Sequence, residues 1–148
     1  MSDKVTWRVY SNIKDCSEIQ SIVDLRIQVF ANEQGFPLNL QTDDNDFVAT
    51  HIEMLFNDKP VGAARIFAKD DKLIMGRFLI LKEYRHLGLG RKLMDKIVEE
   101  AKKTDFDELT IYSQHQVVHF YEKCGAIVTG ETFILADYPH VPMVYRLK

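Results

Sequence analysis

The chain has 148 residues, a net charge of −3 and 46% hydrophobic residues, which is typical of one globular domain spanning residues 1–148. The negative charge argues against a general nucleic-acid-binding surface. No apolar run suggests a signal peptide or a membrane span. The two cysteines, Cys16 and Cys124, match no metal-ligand spacing. We therefore expect a cytoplasmic protein with reduced cysteines that binds no metal, nucleic acid or membrane.

The first third of the chain is predicted to form a strand, a long helix and a polar loop. Side-chain alternation predicts a strand over Val5–Tyr10. Asp15 and Glu18 match a capping box, and apolar residues at helical spacing then continue to Phe30. Gly35 and the proline that follows it predict the end of this helix.

Two polar features of this region each allow two interpretations. Arg26 lies on the apolar face of the predicted helix. Either its stem packs while its guanidinium reaches solvent or a carboxylate, or a buried guanidinium braces or contacts a substrate site. Residues 38–46 form a loop that contains Asp43, Asp44 and Asp46. This loop is either solvated or an electronegative rim that attracts a cationic amine.

Hydrophobic patterning and turn residues predict the remaining elements. They are strands over 47–56, 61–68 and 73–81, a helix from Leu89, a strand over Glu108–Gln114, a helix over 115–123, and strands over 131–136 and 141–147 that residues 137–140 link. A strand–helix–strand order calls for a right-handed crossover and parallel pairing. The predicted order β-α-β-β-β-α-β-α-β-β is an α/β chain with a mixed sheet and helices on its faces.

A glycine-bearing turn, Arg85-His86-Leu87-Gly88-Leu89-Gly90, opens the helix that follows strand 73–81. The first N–H groups of a helix lack intrahelical partners and favour an anion, and glycine lets the backbone approach it closely. Arg85, Arg91 and Lys92 would add positive charge, so we predict a pyrophosphate site here. A Walker loop is absent, and Leu93 occupies the position of a third dinucleotide-fingerprint glycine. The alternative is an ordinary turn between a strand and a helix.

With Arg85, Gly88 and Gly90 after a strand, the chain resembles the GCN5-related N-acetyltransferase (GNAT) superfamily. In that family the pattern [Q/R]-x-x-G-x-[G/A] opens the helix after strand 4 and binds the pyrophosphate of acetyl-CoA. The segment Phe120-Tyr121-Glu122-Lys123-Cys124-Gly125-Ala126 resembles the family's F-Y-x-x-x-G-F motif, although Ala126 replaces the usual aromatic residue. Residues 25–34 and 139–143 look like the ElaA/YjcF-like branch.

The resemblance implies a GNAT acyl-CoA N-acyltransferase fold whose strands 4 and 5 splay apart at their C-terminal ends. It implies an N-acetyltransferase that uses acetyl-CoA and transfers the acetyl group directly to a primary amine of a small molecule or amino sugar. Tyr121 would lie beside the sulfur as general acid, whereas periodicity alone favours a core tyrosine. The implied coenzyme A contacts are Phe78, Leu79, Ile80, Arg85, His86, Leu87, Gly88, Leu89, Gly90, Arg91, Lys92 and Tyr121.

The sequence does not decide which residue is the general base. Glu33 and His140 are preferred because both lie in loops near the expected acceptor entrance, and the other candidates are His51, Glu53, His115, His119 and Glu131. Two further functions are also open: a protein or peptide N-acetyltransferase whose acidic loop meets a basic peptide, and a non-catalytic acyl-CoA-binding regulatory domain. An exposed final strand leaves a homodimer open as well.

Overall fold

A computed structural model describes residues 3–148 as a central sheet with helices on both faces. The strands are β1 (Val5–Tyr10), β2 (Thr50–Phe56), β3 (Lys59–Lys69), β4 (Lys72–Ile80), β5 (Glu108–Gln114), β6 (Ile127–Val128), β7 (Phe133–Leu135) and β8 (Tyr138–Arg146). The α-helices are α1 (Gln20–Arg26), α2 (Leu89–Ala101) and α3 (Val118–Lys123). None of the helices within the described residues is long and apolar enough to cross a membrane.

The sheet has the order β1-β2-β3-β4-β5-β8-β6, and β7 also pairs with β8. Strands β1 to β4 form an antiparallel meander, β5 runs parallel to β4, and β8 is antiparallel to β5. Two-residue turns with positive φ, Asn57-Asp58 and Asp70-Asp71, close the hairpins on either side of β3. The predicted mixed sheet and its strand order are confirmed, although the two-residue β6 was missed.

The helices cover both faces, as predicted, and they bury two different cores. On the α1 face, Ile19, Ile22, Leu25 and Val29 pack against Ala63 and Leu79 of the sheet. On the α2 face, Leu93 and Ile97 of α2 and Tyr121 of α3 join a larger core. The final strand, β8, is not an exposed edge, because it pairs with β5 on one side and with β6 and β7 on the other. The outer strands leave Ile127 and Ile134 exposed, and a homodimer stays a prediction.

Several predicted boundaries were wrong for local reasons. Strand β2 starts at Thr50 instead of residue 47, because the Asp43 side chain caps a 3-10 turn over Asp44–Phe47. Strand β8 starts at Tyr138, because the preceding turn needs only Ala136 and Asp137, both with positive φ. The predicted helix over 115–123 begins with a 3-10 turn before α3.

The first helix keeps its predicted start and end but changes type along its length. Asp15 and Glu18 form the predicted capping box at the start of a 3-10 turn. The chain is α-helical over Gln20–Arg26 and π-helical over Ile27–Glu33. Gly35, with a φ of 82°, follows the helix end. The π-helical segment brings Glu33 to the edge of the sheet near β4.

Candidate active site

Strands β4 and β5 part halfway along β4. Their parallel pairing covers only Leu73, Ile74 and Met75 on β4 and ends at the pair Met75–Ile111. Beyond that pair β4 continues to Ile80, held by β3, and β5 continues to Gln114, held by β8. The β4 edge that faces β5 therefore offers backbone N–H and C=O groups to a ligand. This opening, called the gap below, confirms the predicted splaying of strands 4 and 5.

A β-bulge lies where β4 leaves β5. Arg65 pairs with Gly76 and Ala63 pairs with Leu79, so two residues of β4 oppose one residue of β3. The first of the two bulged residues, Arg77, has a φ of 53°, which is rare for a residue other than glycine. A bulge bends its strand and changes the direction of the groups that follow. It therefore sets where the backbone of the next three residues points in the gap.

The glycine-bearing turn forms an open helix N-terminus at the end of β4. Gly88 caps α2 in the left-handed conformation with a φ of 78°. The Lys92 N–H bonds the Gly88 carbonyl, so the amides before it have no intrahelical acceptor. Leu87 is 57% exposed, which leaves this end of the helix open. A Cβ built on Gly88 meets no atom within 4 Å. The turn fits the predicted main-chain anion site.

Gly90 has a packing role, and its predicted contact with the cofactor stays a prediction. A Cβ at this position would lie 3.2 Å from the Phe120 ring of α3, and its φ is not in the left-handed region. Gly90 therefore lets α2 and α3 pack closely. The Phe120 ring also lies 5.6 Å from Phe78 of β4, centre to centre. This contact joins the two sequence motifs at the gap.

Two of the three cations near the turn have protein partners. The Arg85 guanidinium donates two hydrogen bonds to the Glu33 carboxylate, at 2.6 and 2.8 Å, and a third to the Ile80 carbonyl. Arg91 donates to the Lys123 carbonyl at the end of α3. Lys92 lines a surface groove that also includes Val5 and Trp7, beside β1. An anion held at this turn would therefore be bound mainly by backbone groups, and both the anion site and phosphate contacts of these side chains stay predictions.

The ion pair with Arg85 also bears on Glu33 as a base. The Arg85 hydrogen bonds lower the pKa of the Glu33 carboxyl, an effect that burial opposes only in part. A carboxylate with a lowered pKa and two bound guanidinium donors is a weak proton acceptor at neutral pH. The geometry therefore favours Glu33 as the partner that holds Arg85 against the end of β4.

Tyr121 lies beneath the gap on the α2 face. Its ring packs edge-on against Phe78, 5.6 Å away, and against Phe120, 5.2 Å away. Only 5% of the residue is exposed, and burial raises the pKa of its phenol. Within residues 3–148 its hydroxyl has no side-chain or backbone hydrogen-bond partner, so it is available to a ligand that enters the gap.

Comparison with known proteins bears directly on this arrangement. The family profile of the acetyltransferase (GNAT) domain matches residues 22–147. The chain belongs to the GNAT superfamily. It is 30% identical to the uncharacterized N-acetyltransferase YjcF of Bacillus subtilis (strain 168) over 132 residues, which cover 88% of this chain and 94% of YjcF.

Solved structures agree with this assignment. The crystal structure of Escherichia coli ElaA superposes with a TM-score of 0.83 at 27% identity and covers 95% of this chain and 99% of ElaA. An acyl-CoA N-acyltransferase from Pseudomonas aeruginosa gives 0.82 at 21% identity, covers 95% and 99%, and supports the fold alone. The chain is thus an acyltransferase of the GNAT superfamily, ElaA/YjcF-like branch, and its co-substrate is an acyl-CoA.

The α1 face of this GNAT chain carries a small cleft beside Gln114, the last residue of β5. Its volume is about 230 Å³, and its lining is Gln34, Phe36, Gln114, Gln116, Tyr138 and Pro139. The Gln114 amide donates to the Gln34 side chain at 3.0 Å, which ties the end of β5 to the end of the first helix. The rings of Phe36 and Tyr138 lie 4.4 Å apart. The cleft wall is therefore neutral, polar and aromatic.

His140 lies next to two residues that line this cleft, and one hydrogen bond fixes its ring. It pairs with Gln114 across β5 and β8, and Tyr138 is two residues away on the same face. Its Nδ1 is 2.9 Å from the Tyr138 carbonyl oxygen. Because a carbonyl oxygen only accepts, Nδ1 must carry the proton, which leaves the lone pair of a neutral ring on Nε2. His140 can thus accept a proton without changing its ring orientation.

The other candidate bases are less well placed. His51 and Glu53 are both fully buried. His51 donates from Nε2 to the Asp46 carbonyl, and Glu53 accepts from Tyr10 and Ser21. The side chains of His115, His119 and Glu131 lie on exposed positions. None of these groups borders the cleft.

Neither a solvated loop nor an electronegative rim describes residues 38–46, because Asp43 and Asp46 are both paired with arginines. Asp46 is fully buried and accepts hydrogen bonds from Arg26 at 3.1 Å and from Arg65 at 2.8 Å. Asp43 binds Arg65 through both oxygens, at 2.6 and 2.9 Å. The sequence left open whether the Arg26 guanidinium is buried. It is buried, and it braces this loop. Asp43 remains 38% exposed despite its ion pairs, and Asp44 is exposed.

Sequence reasoning missed Arg65 and Arg77, the two arginines that draw this loop onto the sheet. Both interrupt strands that are otherwise apolar, VGAARIFA and LIMGRFLI. An arginine on a central strand needs a buried partner, so this pattern was the available signal. The acidic loop carries the opposite charge and was therefore the natural candidate for the partner of these arginines.

Asp46 provides a stability prediction. Asp46→Ala should lower the free energy of unfolding by about 3–5 kcal/mol, because it removes one partner of a buried ion pair. Burial raises the pKa of Asp46, but the Arg26 charge and hydrogen bond outweigh it and the net pKa is lowered. A carboxyl with a lowered folded pKa stabilises fully above its ordinary value of about 3.9, and that contribution is lost as pH falls further.

Urea unfolding of the wild type and of Asp46→Ala from pH 7 to pH 3 tests both parts. The difference should be largest near neutral pH and should shrink below about pH 4. Asp44→Ala, an exposed neighbour in the same loop, should stay within about 0.5 kcal/mol of the wild type. A difference that is small at pH 7, or one that grows in acid, would contradict the buried pairing.

Proposed function

We propose that this acyltransferase acetylates a primary amine of a small molecule or amino sugar, using acetyl-CoA and direct transfer. One observation carries the proposal: the gap joins two faces of the sheet with complementary chemistry. The α2 face offers the helix N-terminus at Gly88 and the phenol of Tyr121. The α1 face offers the cleft and His140. We further propose that residues 1–148 act as one domain in the cytoplasm.

The donor would enter from the α2 face. Its pyrophosphate would accept hydrogen bonds from the amides that open α2, and its pantetheine arm would pair with the free edge of β4 at Phe78, Leu79 and Ile80. The sulfur atom of coenzyme A would then lie beside Tyr121. Arg85 is already bound by Glu33, so we assign it to shaping this turn, with phosphate contact as a secondary role.

The reaction then needs one new bond and one broken bond. The amine nitrogen attacks the thioester carbon from the α1 side and forms the C–N bond, and the C–S bond breaks. A backbone N–H of the bulged β4 segment stabilises the negative charge that develops on the carbonyl oxygen. The proton lost by the nitrogen goes to Nε2 of His140. The departing thiolate accepts a hydrogen bond from Tyr121 and takes its proton from water.

The burial of Tyr121 refines its proposed role. Its pKa is raised by burial, so the phenol stays protonated at neutral pH. Full proton transfer to a thiolate, whose conjugate thiol has a pKa of about 8.5, would be unfavourable from such a phenol. Tyr121 therefore acts best by donating a hydrogen bond to the sulfur as charge develops on it. Water then completes the protonation of coenzyme A.

The neutral cleft favours a small acceptor over a basic peptide. The peptide alternative depended on an acidic rim, and Asp43 and Asp46 are neutralised by buried arginines. The six residues that line the cleft include no carboxylate. A volume of about 230 Å³ is below the usual range of drug-sized sites, which suits the end of a small amine.

A coenzyme A release assay across simple amines, amino sugars and basic peptides tests the proposal. We expect acetyl-CoA binding by calorimetry and release that depends on a small primary amine. Mass spectrometry should show acetylated acceptor and no acetylated enzyme, as direct transfer requires. Binding without release on every acceptor would favour the regulatory alternative, and release with peptides alone would favour the peptide enzyme. Absence of acetyl-CoA binding would refute the donor assignment.

A further inference from the structure

A group of five charged side chains, three of them buried and two partly exposed, lies on the α1 face beside the gap. It consists of Arg26, Asp43, Asp46, Arg65 and Arg77 and is called the arginine cluster below. Asp46 bridges Arg26 and Arg65, and Asp43 bridges Arg65 and Arg77, the last pair at 3.3 Å. The cluster is therefore one chain of ion pairs from the first helix to β4.

The chain of ion pairs ends on the β4 bulge. Arg77 is the left-handed residue of the bulge and lies two positions after Met75, the last β4 residue paired with β5. Its Nη2 donates to the Leu40 carbonyl at 2.8 Å as well as to Asp43. One guanidinium thus connects the strand that borders the gap to the loop over residues 38–46. That loop directly follows Phe36, which lines the cleft.

Stability alone does not explain this arrangement. A residue other than glycine is strained at a φ of 53°, and glycine at position 77 would relieve that strain. The Nε atoms of Arg26, Arg65 and Arg77 are buried and have no hydrogen-bond partner within residues 3–148, which is also unfavourable. Buried ion clusters are weak evidence for stability, and strained backbone is concentrated at functional sites.

We propose that Asp43 and Arg77 form a positioning pair for the acyl transfer. The pair fixes the bulge, and with it the backbone N–H groups of Phe78 and Leu79, relative to the loop over residues 38–46, which follows the cleft residue Phe36 in the chain. It therefore aligns the polarised thioester with the incoming amine. This inference rests on the proposed function. Neither side chain touches the reacting atoms, so both are positioning residues.

Arg77→Gly separates the guanidinium from the backbone conformation, because glycine accepts the left-handed bulge without strain. We expect kcat to fall about 30- to 100-fold, because a small misplacement of reacting groups causes a loss of rate of about this size. The acetyl-CoA Kd should stay within about threefold of the wild type, because the pyrophosphate site and the β4 edge remain. Asp70→Gly is the matched control: it replaces a left-handed residue, φ 51°, in the hairpin before β4, and should keep kcat.

Two more variants test the pair itself. Asp43→Asn should lower kcat at least as much as Arg77→Gly, because it also weakens the two hydrogen bonds from Arg65. The double variant Asp43→Asn/Arg77→Gly should be no worse than Asp43→Asn, since the Asp43–Arg77 link is already lost there. Arg77→Lys, which keeps one charged donor, should restore part of the lost kcat. Additive losses, an unchanged kcat in Arg77→Gly, or a loss that appears equally in the acetyl-CoA Kd would overturn the proposal.

Hydrogen exchange decides the outcome independently of turnover. In Arg77→Gly the amides of residues 38–46 and 76–80 should exchange faster than in the wild type or in Asp70→Gly, because one link orders both segments. Unchanged exchange in either segment would refute the pair. If the wild-type chain releases no coenzyme A with any amine, the proposed function fails, and the exchange result still shows whether Asp43 and Arg77 order the bulge.

Discussion

Replacing Gly88 by Asp should weaken acetyl-CoA binding about 30- to 1,000-fold relative to Gly88→Asn. Both side chains have the same size, and both residues tolerate the left-handed conformation that Gly88 adopts, with a φ of 78°. A Cβ at this position meets no atom within 4 Å, so neither variant should disturb packing. The two variants therefore differ in one negative charge at the helix N-terminus.

That charge would lie where the pyrophosphate is proposed to bind. Two like charges about 5 Å apart repel by about 2–4 kcal/mol at the effective dielectric of a protein surface, which corresponds to the stated factor in Kd. An acidic residue at a helix N-terminus does not destabilise the helix, so the thermal stability of the two variants should match. Loss of binding therefore cannot be attributed to unfolding.

Calorimetric titration with acetyl-CoA measures the effect, and the ionic strength of the buffer gives an internal check. The difference between the Asp and Asn variants should shrink in high salt, because exposed charges are screened. Dephospho-coenzyme A keeps the pyrophosphate but lacks the ribose phosphate, so it should show the same difference. Equal affinities for the two variants would place the pyrophosphate away from Gly88 and refute the anion site.

The strand order was predictable because the local signals agree with the sheet. Alternating strands, short turns rich in Asn and Asp, and one amphipathic helix between two apolar strands allow few topologies. The positive φ values at Asn57, Asp58, Asp70 and Asp71 are those that tight hairpins require. The parting of β4 and β5 followed from the family resemblance, since no local pattern in either strand reports it.

The acidic loop was not predictable from its own residues. A run such as Asp43-Asp44-Asn45-Asp46 has the composition of a solvated loop. Its orientation depends on Arg26, Arg65 and Arg77, which lie about 20 or more positions away in other elements. Composition reports how much charge a segment carries, and only the three-dimensional pairing reports where that charge points.

In the candidate site, the backbone features were predictable from the sequence and the side-chain contacts were not. The backbone role of Gly88 was predictable, because helix geometry leaves the first amides without partners wherever a helix begins. The side-chain contacts were less predictable. The Arg85 guanidinium is hydrogen-bonded to the Glu33 carboxylate, and Gly90 packs against the Phe120 ring. Long cationic side chains have many accessible positions, so their nearness in sequence to a phosphate motif does not fix their contacts.

His140→Gln should lower kcat/KM for the amine acceptor about 10²- to 10⁴-fold, the usual contribution of a positioned general base. Glutamine can keep a donor near the Tyr138 carbonyl, which His140 bonds at 2.9 Å, but it supplies no basic lone pair. His140 lies between β5 and β7 on β8 and is 7% exposed. The substitution should therefore preserve the sheet and leave the acetyl-CoA Kd close to that of the wild type.

The pH dependence distinguishes a base from a structural histidine. If Nε2 accepts the proton of the amine, any acidic limb of the wild-type kcat/KM profile that reports the base should be absent from His140→Gln. Tyr121→Phe is the matched comparison: it should lower kcat by a smaller factor and keep the acidic limb, because it removes only a hydrogen bond to the sulfur. An acidic limb that persists in His140→Gln would assign the proton to another group, and the acceptor face would then need a different base from the one its hydrogen bonds favour.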